Sequence, residues 1–440
     1  MGHHQEFFDV VGVGFGPANI AVAIALEELN ALLKVKFLES GASTIWQKGM
    51  LFDGSDIQNH PLRDLVTPSN PRSKYTFTNY LFENNRLFQH LNLGMYFPFR
   101  LEYAQYVEWV SAHFEHMVNY NTSVAKVTVM EAANGRGIGY EVLDNRGNLY
   151  KTRSVILATG RTPYIPRPFT HCSPGLVRHI TGYQEAVDEM IRKKKNARIC
   201  VVGSSQSAVE AILHLGDTYP EAHIIGVLRS FGYRLKDTSP FTGEVYFPEF
   251  VDLFYGASSD AKRKLAEDLY RTNYGSADGD VLDRLYRKIY VQQLRKEKKI
   301  TIHRSAEVLN AGERAGQGFV EIRKLEYGEP ITEEVDLIIL ATGFKNIGRG
   351  ENEEAYPPIV ESLIPHLQLS DEQCIRIGLD YRVKMKDHVD PEAACFLNGL
   401  CESSHGMGDA GSFSLLSLRS RTIVRTLLEN NYAVNLKDNE

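Results

Sequence analysis

Two glycine-rich turns carry the residues with the clearest capacity for chemistry: Val10-Val11-Gly12-Val13-Gly14-Phe15-Gly16-Pro17 and Val201-Val202-Gly203-Ser204-Ser205-Gln206-Ser207. Each follows an apolar run of strand character. A turn of this kind lets backbone N–H groups approach a pyrophosphate and seats its charge on the N-terminus of the next helix. In the first turn Gly12 permits the sharp change of direction and Gly14 the close approach. Pro17 stands where the usual fingerprint has its third glycine, and proline suits a first helical position because no N–H is needed there. Glu39 ends the next strand, placed to accept from ribose hydroxyls. The second turn keeps Gly203 but has Ser205 and Ala208 in place of the other glycines. Arg229 ends its next strand, where an NAD site carries an acid. An arginine there pairs with a 2′-phosphate, which points to NADPH. Two such turns imply two dinucleotides that must meet, a nicotinamide and a flavin.

The elements that must hold these turns are legible as hydrophobic runs. A strand over 7–13, a helix over 19–32 and a strand over 34–39 form one βαβ unit. A strand over 198–203, a helix over 207–215 and a strand over 223–228 form another. Val-Ile-Leu-Ala-Thr-Gly at 155–160 and Leu-Ile-Ile-Leu-Ala-Thr-Gly at 337–343 flank the second unit, so it reads as an insertion into the first. The stretch 46–99 shows little periodicity and reads as lining a site. Residues 258–300 read as helical, with Leu282, Leu285 and Ile289 on one face. The expected fold is α/β, with two Rossmann-like dinucleotide-binding domains plus a smaller, mostly helical substrate region. The expected boundaries are 1–185 with 331–440 for FAD, 186–235 with 300–330 for NADPH, and 236–299 for the helical region.

Composition excludes several function classes. The chain has 440 residues, 43% hydrophobic and 24% charged, with a net charge of −6, so nothing favours nucleic acid or an anionic membrane as partner. It has no long apolar run to span a bilayer and no signal-peptide pattern at its start, so a cytoplasmic location is expected. The five cysteines (Cys172, Cys200, Cys374, Cys395, Cys401) include no CxxC pair, Cys395 and Cys401 read as buried thiols, and no metal-ligand spacing occurs.

Longer segments carry a resemblance. GVGFGPANI (12–20), Trp46 to Met50, RDLVTP-x-NPRS-x-x-TF-x-NYL (63–81), VVGSSQSAVE (201–210), SPF-x-x-E-x-x-x-PEF (239–250), TNY (272–274), LATGF (340–344) and SHG…LLSLRS (404–420) run through the chain in order. In this set the chain resembles the flavin-dependent N-hydroxylating monooxygenases, the L-ornithine and L-lysine side-chain hydroxylases of siderophore pathways. The resemblance implies that NADPH reduces FAD, that the reduced flavin takes up O2, and that a C4a-hydroperoxide delivers one oxygen atom to a primary amine. The product is a hydroxylamine. A free alkylamine of pKa about 10.4 is mostly protonated at neutral pH, so the site should favour its neutral form by desolvation.

Residue by residue, the resemblance places Gly12, Gly14, Gly16, Pro17, Asn19 and Glu39 at FAD. It puts Gln58 beside the flavin ring and Trp46, Lys48 and Met50 in the ring's pocket. His405 lies where the family approaches the flavin, and reads as structural rather than as a proton carrier. Gly203, Ser204, Ser205, Gln206, Ser207, Arg229, Asn273 and Tyr274 fall to NADPH. The substrate positions depart from the family. Arg63 replaces a lysine that holds the substrate carboxylate, and Gly243 replaces an asparagine. Met407 to Ser414 runs one residue longer than usual, which brings Ser414 to the substrate serine. A diamine such as putrescine or cadaverine, or another amino acid, is therefore an alternative substrate. A Baeyer–Villiger or sulfur monooxygenase and a non-catalytic nucleotide-binding protein of this fold are the more distant readings. The family also implies a homo-oligomer, dimer or tetramer.

Overall fold

The strand Phe7–Val13 is covered on both faces, with Val10, Val11 and Val13 buried, which is why its sequence reads as a nearly unbroken apolar run. The structure, a computed structural model, describes residues 6–325, 328–410 and 412–437. Phe7–Val13 lies parallel to Val35–Leu38 on one side and to Leu149–Leu157 on the other, with Val13 opposite both Leu38 and Leu157. Val118–Asn119 extends the sheet beyond Val35–Leu38. Beyond Leu149–Leu157 come the antiparallel strands Gly137–Asp144 and Val124–Glu131, and Cys395–Leu397 also pairs with Leu149–Leu157 in parallel.

A second sheet is entirely parallel, in the order Ile300–His303, His223–Val227, Arg198–Val202, Leu337–Leu340 and Val177–His179. This corrects the expected limits of the insertion. Val177–His179 and Leu337–Leu340 pair within the second sheet, although the boundaries at 185 and 331 put both in the first unit. The two Ala-Thr-Gly strands therefore belong to different sheets. A packing reason is visible at the glycines. A Cβ on Gly14 would lie 2.5 Å from the carbonyl oxygen of Ala158, and one on Gly203 would lie 2.4 Å from that of Ala341. Each glycine turn is closed by its own Ala-Thr-Gly strand end, so each sheet needs one. A three-stranded antiparallel sheet, Ala306–Arg314, Gln317–Lys324 and Ile331–Val335, covers the second sheet.

The first helix, Pro17–Glu28, starts two residues before the expected position because Pro17 takes its first turn. Asn30, at φ 50°, turns the chain out after it. The helix is buried from Asn19 to Leu26, between its sheet and the C-terminal helix Leu416–Lys437. The second nucleotide helix is Gln206–Thr218. The stretch 46–99 is less irregular than its sequence suggests. It contains the helices Phe77–Glu83 and Leu87–Leu93, each too short to show a period. The helical region holds three helices, Pro248–Gly256, Ser259–Asp268 and Gly279–Leu294, the last two separated around Tyr270–Thr272. Leu285 is buried and Leu282 and Ile289 pack beside it on the second sheet's core.

All five cysteines are free, with Cys395 and Cys401 fully buried. Among the described residues no helix is long and apolar enough to cross a membrane, and no cluster of His, Cys, Asp and Glu could hold a metal ion.

Candidate active site

The two nucleotide helices share the same kind of N-terminus. Neither Pro17–Glu28 nor Gln206–Thr218 has a side-chain cap, and neither carries an acid in its first turn. Side-chain caps do occur in the chain, Thr76 on Phe77–Glu83 and Ser258 on Ser259–Asp268, while Leu87–Leu93 also lacks both cap and acid. Uncapped N–H groups and the positive end of the helix dipole suit an anion better than they suit water-exposed backbone alone. A Cβ on Gly16 would meet nothing within 4 Å, so the approach to the first helix is open. Both ends therefore fit a pyrophosphate.

Behind the first turn lies a buried polar chain. Asn19 donates to the carbonyl of Gly14 at 2.7 Å and accepts from Asn398 at 3.2 Å. Asn398 accepts from Arg419 at 2.7 Å, and Arg419, itself 2% exposed, pairs with Asp409 at 3.1 Å. Asn19 thus has both ends of its amide committed inside the protein, and it shapes the turn from behind. Glu39 faces the same turn, accepting from the N–H of Phe15 and of Gly41 at 2.7 Å each. His405 is buried, stacked on Tyr381 at 4.3 Å, and bonded to Ser404 and to the carbonyl of Leu379. Burial pulls its pKa down, so it is held as a neutral, structural ring.

The loop after the second strand is divided between the two units. Trp46 packs edge-on against Tyr103 and Phe413, and Lys48 is exposed. Met50 is buried with Phe52, Ile180 and Tyr183 in the core of the second sheet. Gln58, at φ 49°, donates its amide to Asp278 across 220 positions at 2.5 Å. Asp56 lies beside it, accepting from the Gln58 N–H at 2.9 Å. Burial, with Glu210 and Asp278 nearby, raises the Asp56 pKa to about 7. Glu210 is paired with Arg100 at 3.0 Å, a buried bridge from the first unit to the second nucleotide helix.

On the nucleotide turn of the second unit, Ser204, Ser205 and Ser207 are half-buried, and the hydroxyls of Ser205 and Ser207 lie 3.2 Å apart. Gln206 points inward, accepting from the Asp278 N–H and donating to Glu210. Arg229 is exposed at the end of His223–Val227, level with Gly203, whose N–H bonds to Val227. Among the described residues Arg229 forms no hydrogen bond or ion pair, which leaves its fork free for a phosphate. The Asn273 side chain is likewise uncommitted. Tyr274 is not: its hydroxyl donates to Glu402 at 2.5 Å and accepts from Arg161 at 3.1 Å, in a box that Asn346 completes.

The three positions expected to meet substrate, Arg63, Gly243 and Ser414, come together. Arg63 donates to the Ser414 hydroxyl at 3.5 Å and lies over the ring of Tyr246 at 5.6 Å. Tyr246 ends the short turn Thr242–Tyr246 that carries Gly243, and space is open where a Gly243 Cβ would project. The Tyr246 hydroxyl donates to the carbonyl of Thr272, beside Asn273. Gly411, in the lengthened segment before Ser414, lies outside the described residues. Tyr246 and Asp278 escaped the sequence reading. Neither belongs to a recognisable motif: Tyr246 is an unspecified position of the 239–250 segment, and Asp278 lies outside every segment that carried the resemblance.

Comparison with known proteins decides the family. The model described as L-lysine 6-monooxygenase/L-ornithine 5-monooxygenase matches residues 6–346. The L-ornithine N(5)-monooxygenase of Pseudomonas aeruginosa is 32% identical over 431 residues, covering 96% of this chain and 94% of the relative. The chain belongs to the L-lysine 6-monooxygenase/L-ornithine 5-monooxygenase family. Among solved structures, this monooxygenase is similar to the ornithine hydroxylase of Pseudomonas aeruginosa, with 31% identity and a TM-score of 0.87 over 97% of this chain and 100% of that one. It is also similar to an ornithine N-hydroxylase of Kutzneria solved with reduced FAD, NADP+ and L-ornithine, at 28% identity and a TM-score of 0.88 over 97% and 100% of the two chains. The monooxygenase thus keeps the family's two Rossmann-like sheets, and Arg63 lies over the ring of Tyr246, in the turn that carries Gly243.

Proposed function

We propose that this chain N-hydroxylates the side-chain amine of an amino acid of the L-ornithine or L-lysine type, using FAD, NADPH and O2. The hydroxylamine formed is a precursor for iron-chelating natural products. The observation that carries the reading is the convergence of Arg63, Ser414 and Tyr246 with the Asn273 segment, next to Asn59, which neighbours Gln58 and accepts from Ser414.

FAD, when bound and reduced by NADPH, supplies the oxygen-activating chemistry, and the protein's residues position and desolvate. The first glycine turn, Glu39 and the loop carrying Gln58 hold FAD. The Ser204–Ser207 turn holds the NADPH pyrophosphate, with Arg229 on the 2′-phosphate and Asn273 on the nicotinamide side. In domain terms, the first sheet with the C-terminal helix carries FAD and the second sheet carries NADPH. Arg63 holds the substrate carboxylate, its guanidinium backed by the Tyr246 ring and oriented by Ser414. Burial raises the Tyr246 phenol to about 12, so it stays neutral and does not compete for the guanidinium. The free thiols and the demand for NADPH suit the cytoplasm. Exposed Phe82, Phe88, Leu91 and Tyr96, on and around a short helix that buries none of its residues, support a homo-oligomer.

The cation at Arg63 favours an amino acid over a diamine. The test is steady-state turnover with L-ornithine, L-lysine, putrescine and cadaverine, reading NADPH oxidation and hydroxylamine by iodine oxidation. Hydroxylamine from an amino acid is the expected result. A diamine turned over better than either amino acid overturns the role of Arg63, and no hydroxylamine from any amine overturns the activity.

A further inference from the structure

The hydrogen bond between Gln58 and Asp278 is made at a cost on both sides. Gln58 sits in the left-handed region at φ 49°, which a non-glycine residue adopts only when its surroundings require it. Asp278 is the N-cap of the helix Gly279–Leu294, at φ −69° and ψ 152°, with the backbone geometry of a capping residue. An aspartate there ordinarily bonds the N–H of the helix's first turn, an interaction worth about 1 kcal/mol. Asp278 makes no such bond. Its carboxylate turns instead to the carboxamide of a residue 220 positions away. Lys236 is close enough to be felt electrostatically, yet it forms no ion pair with Asp278 among the described residues. The backbone is held as well: the Asp278 N–H donates to Gln206 at 2.9 Å, and Gln206 is anchored in turn on Glu210.

A carboxylate only accepts hydrogen bonds, whereas a carboxamide has one donating and one accepting end. The partner therefore decides the orientation. Facing Asp278, Gln58 must present its NH2, and its carbonyl Oε1 is left as the free end, without a partner among the described residues. We propose that Asp278 is a positioning residue that fixes which end of the Gln58 carboxamide is offered to the bound flavin, and that it does so from the second unit, through Gln206 of the NADPH turn. This rests on the proposed function only in taking Gln58 as the flavin-side residue. Asp278 touches neither cofactor nor substrate in this account and acts through Gln58 alone. The strained backbone at Gln58 and the forgone cap at Asp278 then have one cause, a carbonyl acceptor that must not rotate.

The test is a double-mutant cycle in the full-length protein. Asp278→Asn and Asp278→Ser both keep a good helix N-cap but remove the acceptor-only partner. Gln58→Ala removes the group acted on. Three readouts are taken: FAD affinity by titrating the apoprotein, the midpoint potential of bound FAD, and hydroxylamine formed per NADPH. Each single variant is expected to shift the potential and to lower hydroxylamine yield about threefold or more, and Asp278→Asn in the Gln58→Ala background is expected to add nothing. Additive effects overturn the proposal, because Asp278 then acts by another route. So do Asp278 variants that lose thermal stability yet keep the parent's potential and yield, since that is a merely structural role. A parent protein that hydroxylates no amine overturns the functional reading instead, while the FAD affinity and potential cycle still decides the positioning role.

Discussion

Arg63 and Ser414 stand 351 positions apart, and the guanidinium of the first donates to the hydroxyl of the second at 3.5 Å. The backbone of Arg63 is held more tightly than its side chain. Its carbonyl accepts from Asn59 at 2.5 Å and from Tyr103 at 3.4 Å. With a single long hydrogen bond from its fork among the described residues and a ring beneath it, Arg63 keeps most of its donors for a carboxylate.

Arg63→Ala is expected to raise KM for the amino-acid substrate by about 10- to 100-fold, since a hydrogen bond to a charged group contributes roughly 1.5–3 kcal/mol. The effect on kcat should be smaller, because the carboxylate is remote from the reacting nitrogen. Arg63→Lys should fall between the two, keeping charge and losing the bidentate fork. Steady-state kinetics checks this, and an unchanged KM in Arg63→Ala removes the carboxylate role.

Arg229 offers a cleaner discrimination, because its side chain is exposed and uncommitted and its loss leaves the fold intact. Arg229→Ala should weaken NADPH by about 1–3 kcal/mol while leaving NADH nearly unaffected. The measurement is KM for each cofactor. Equal losses for both would mean that the arginine does not meet the 2′-phosphate.

Asp56 gives a pH signature. Its pKa is raised to about 7 by burial first, then by Glu210 and Asp278, against the lowering effect of the Gln58 N–H and Arg100. A carboxyl with a raised folded pKa binds its proton more tightly in the native state. The stability it contributes is fully present below the unfolded pKa near 4 and is lost as pH rises through 7. Asp56→Asn cannot titrate and can still accept from Gln58. Its Tm relative to the parent should therefore climb between pH 5 and pH 8, by the equivalent of at most about 3 kcal/mol. Parallel Tm curves across that range would show that Asp56 does not carry a raised pKa.

The glycine turns were legible in the sequence because their requirement is local. A strand, a glycine that tolerates φ 84° at Gly14, and a proline that opens a helix lie within eleven residues. The acid and the arginine after the following strands were legible for the same reason, since strand length fixes where the chain emerges. Side-chain direction was not. Asn19, Gln206 and Met50 lie in cofactor segments, yet all three are turned into the protein by partners far along the chain: Asn398, Asp278 and Tyr183. The Ala-Thr-Gly repeat pointed to an insertion but hid its limits, because strand pairing depends on which glycine each turn must close. Asp278 carried no signal at all, since an aspartate before a helix reads as an ordinary cap.

The buried chain from Arg419 to Gly14 makes a last prediction. Arg419 and Asp409 are both nearly inaccessible, and the pair reaches the first glycine turn through Asn398 and Asn19. Arg419→Ala leaves a buried carboxylate without its cation and should cost about 3–5 kcal/mol, enough to compromise folding outright. Asn398→Leu is the sharper variant. It leaves the Arg419–Asp409 pair intact but removes the acceptor for Arg419 Nε and the donor to Asn19, at a cost of about 1–3 kcal/mol. Asn19 then loses the contact that orients it against the Gly14 carbonyl. FAD affinity should fall, while NADPH affinity, set on the other sheet, should hold. The check is FAD titration of the apoprotein together with Tm measured with and without added FAD, since a ligand bound to the native state raises Tm only as far as it still binds. An Asn398→Leu protein that loses stability yet binds FAD as the parent does would show the chain to be a structural staple with no hold on the turn.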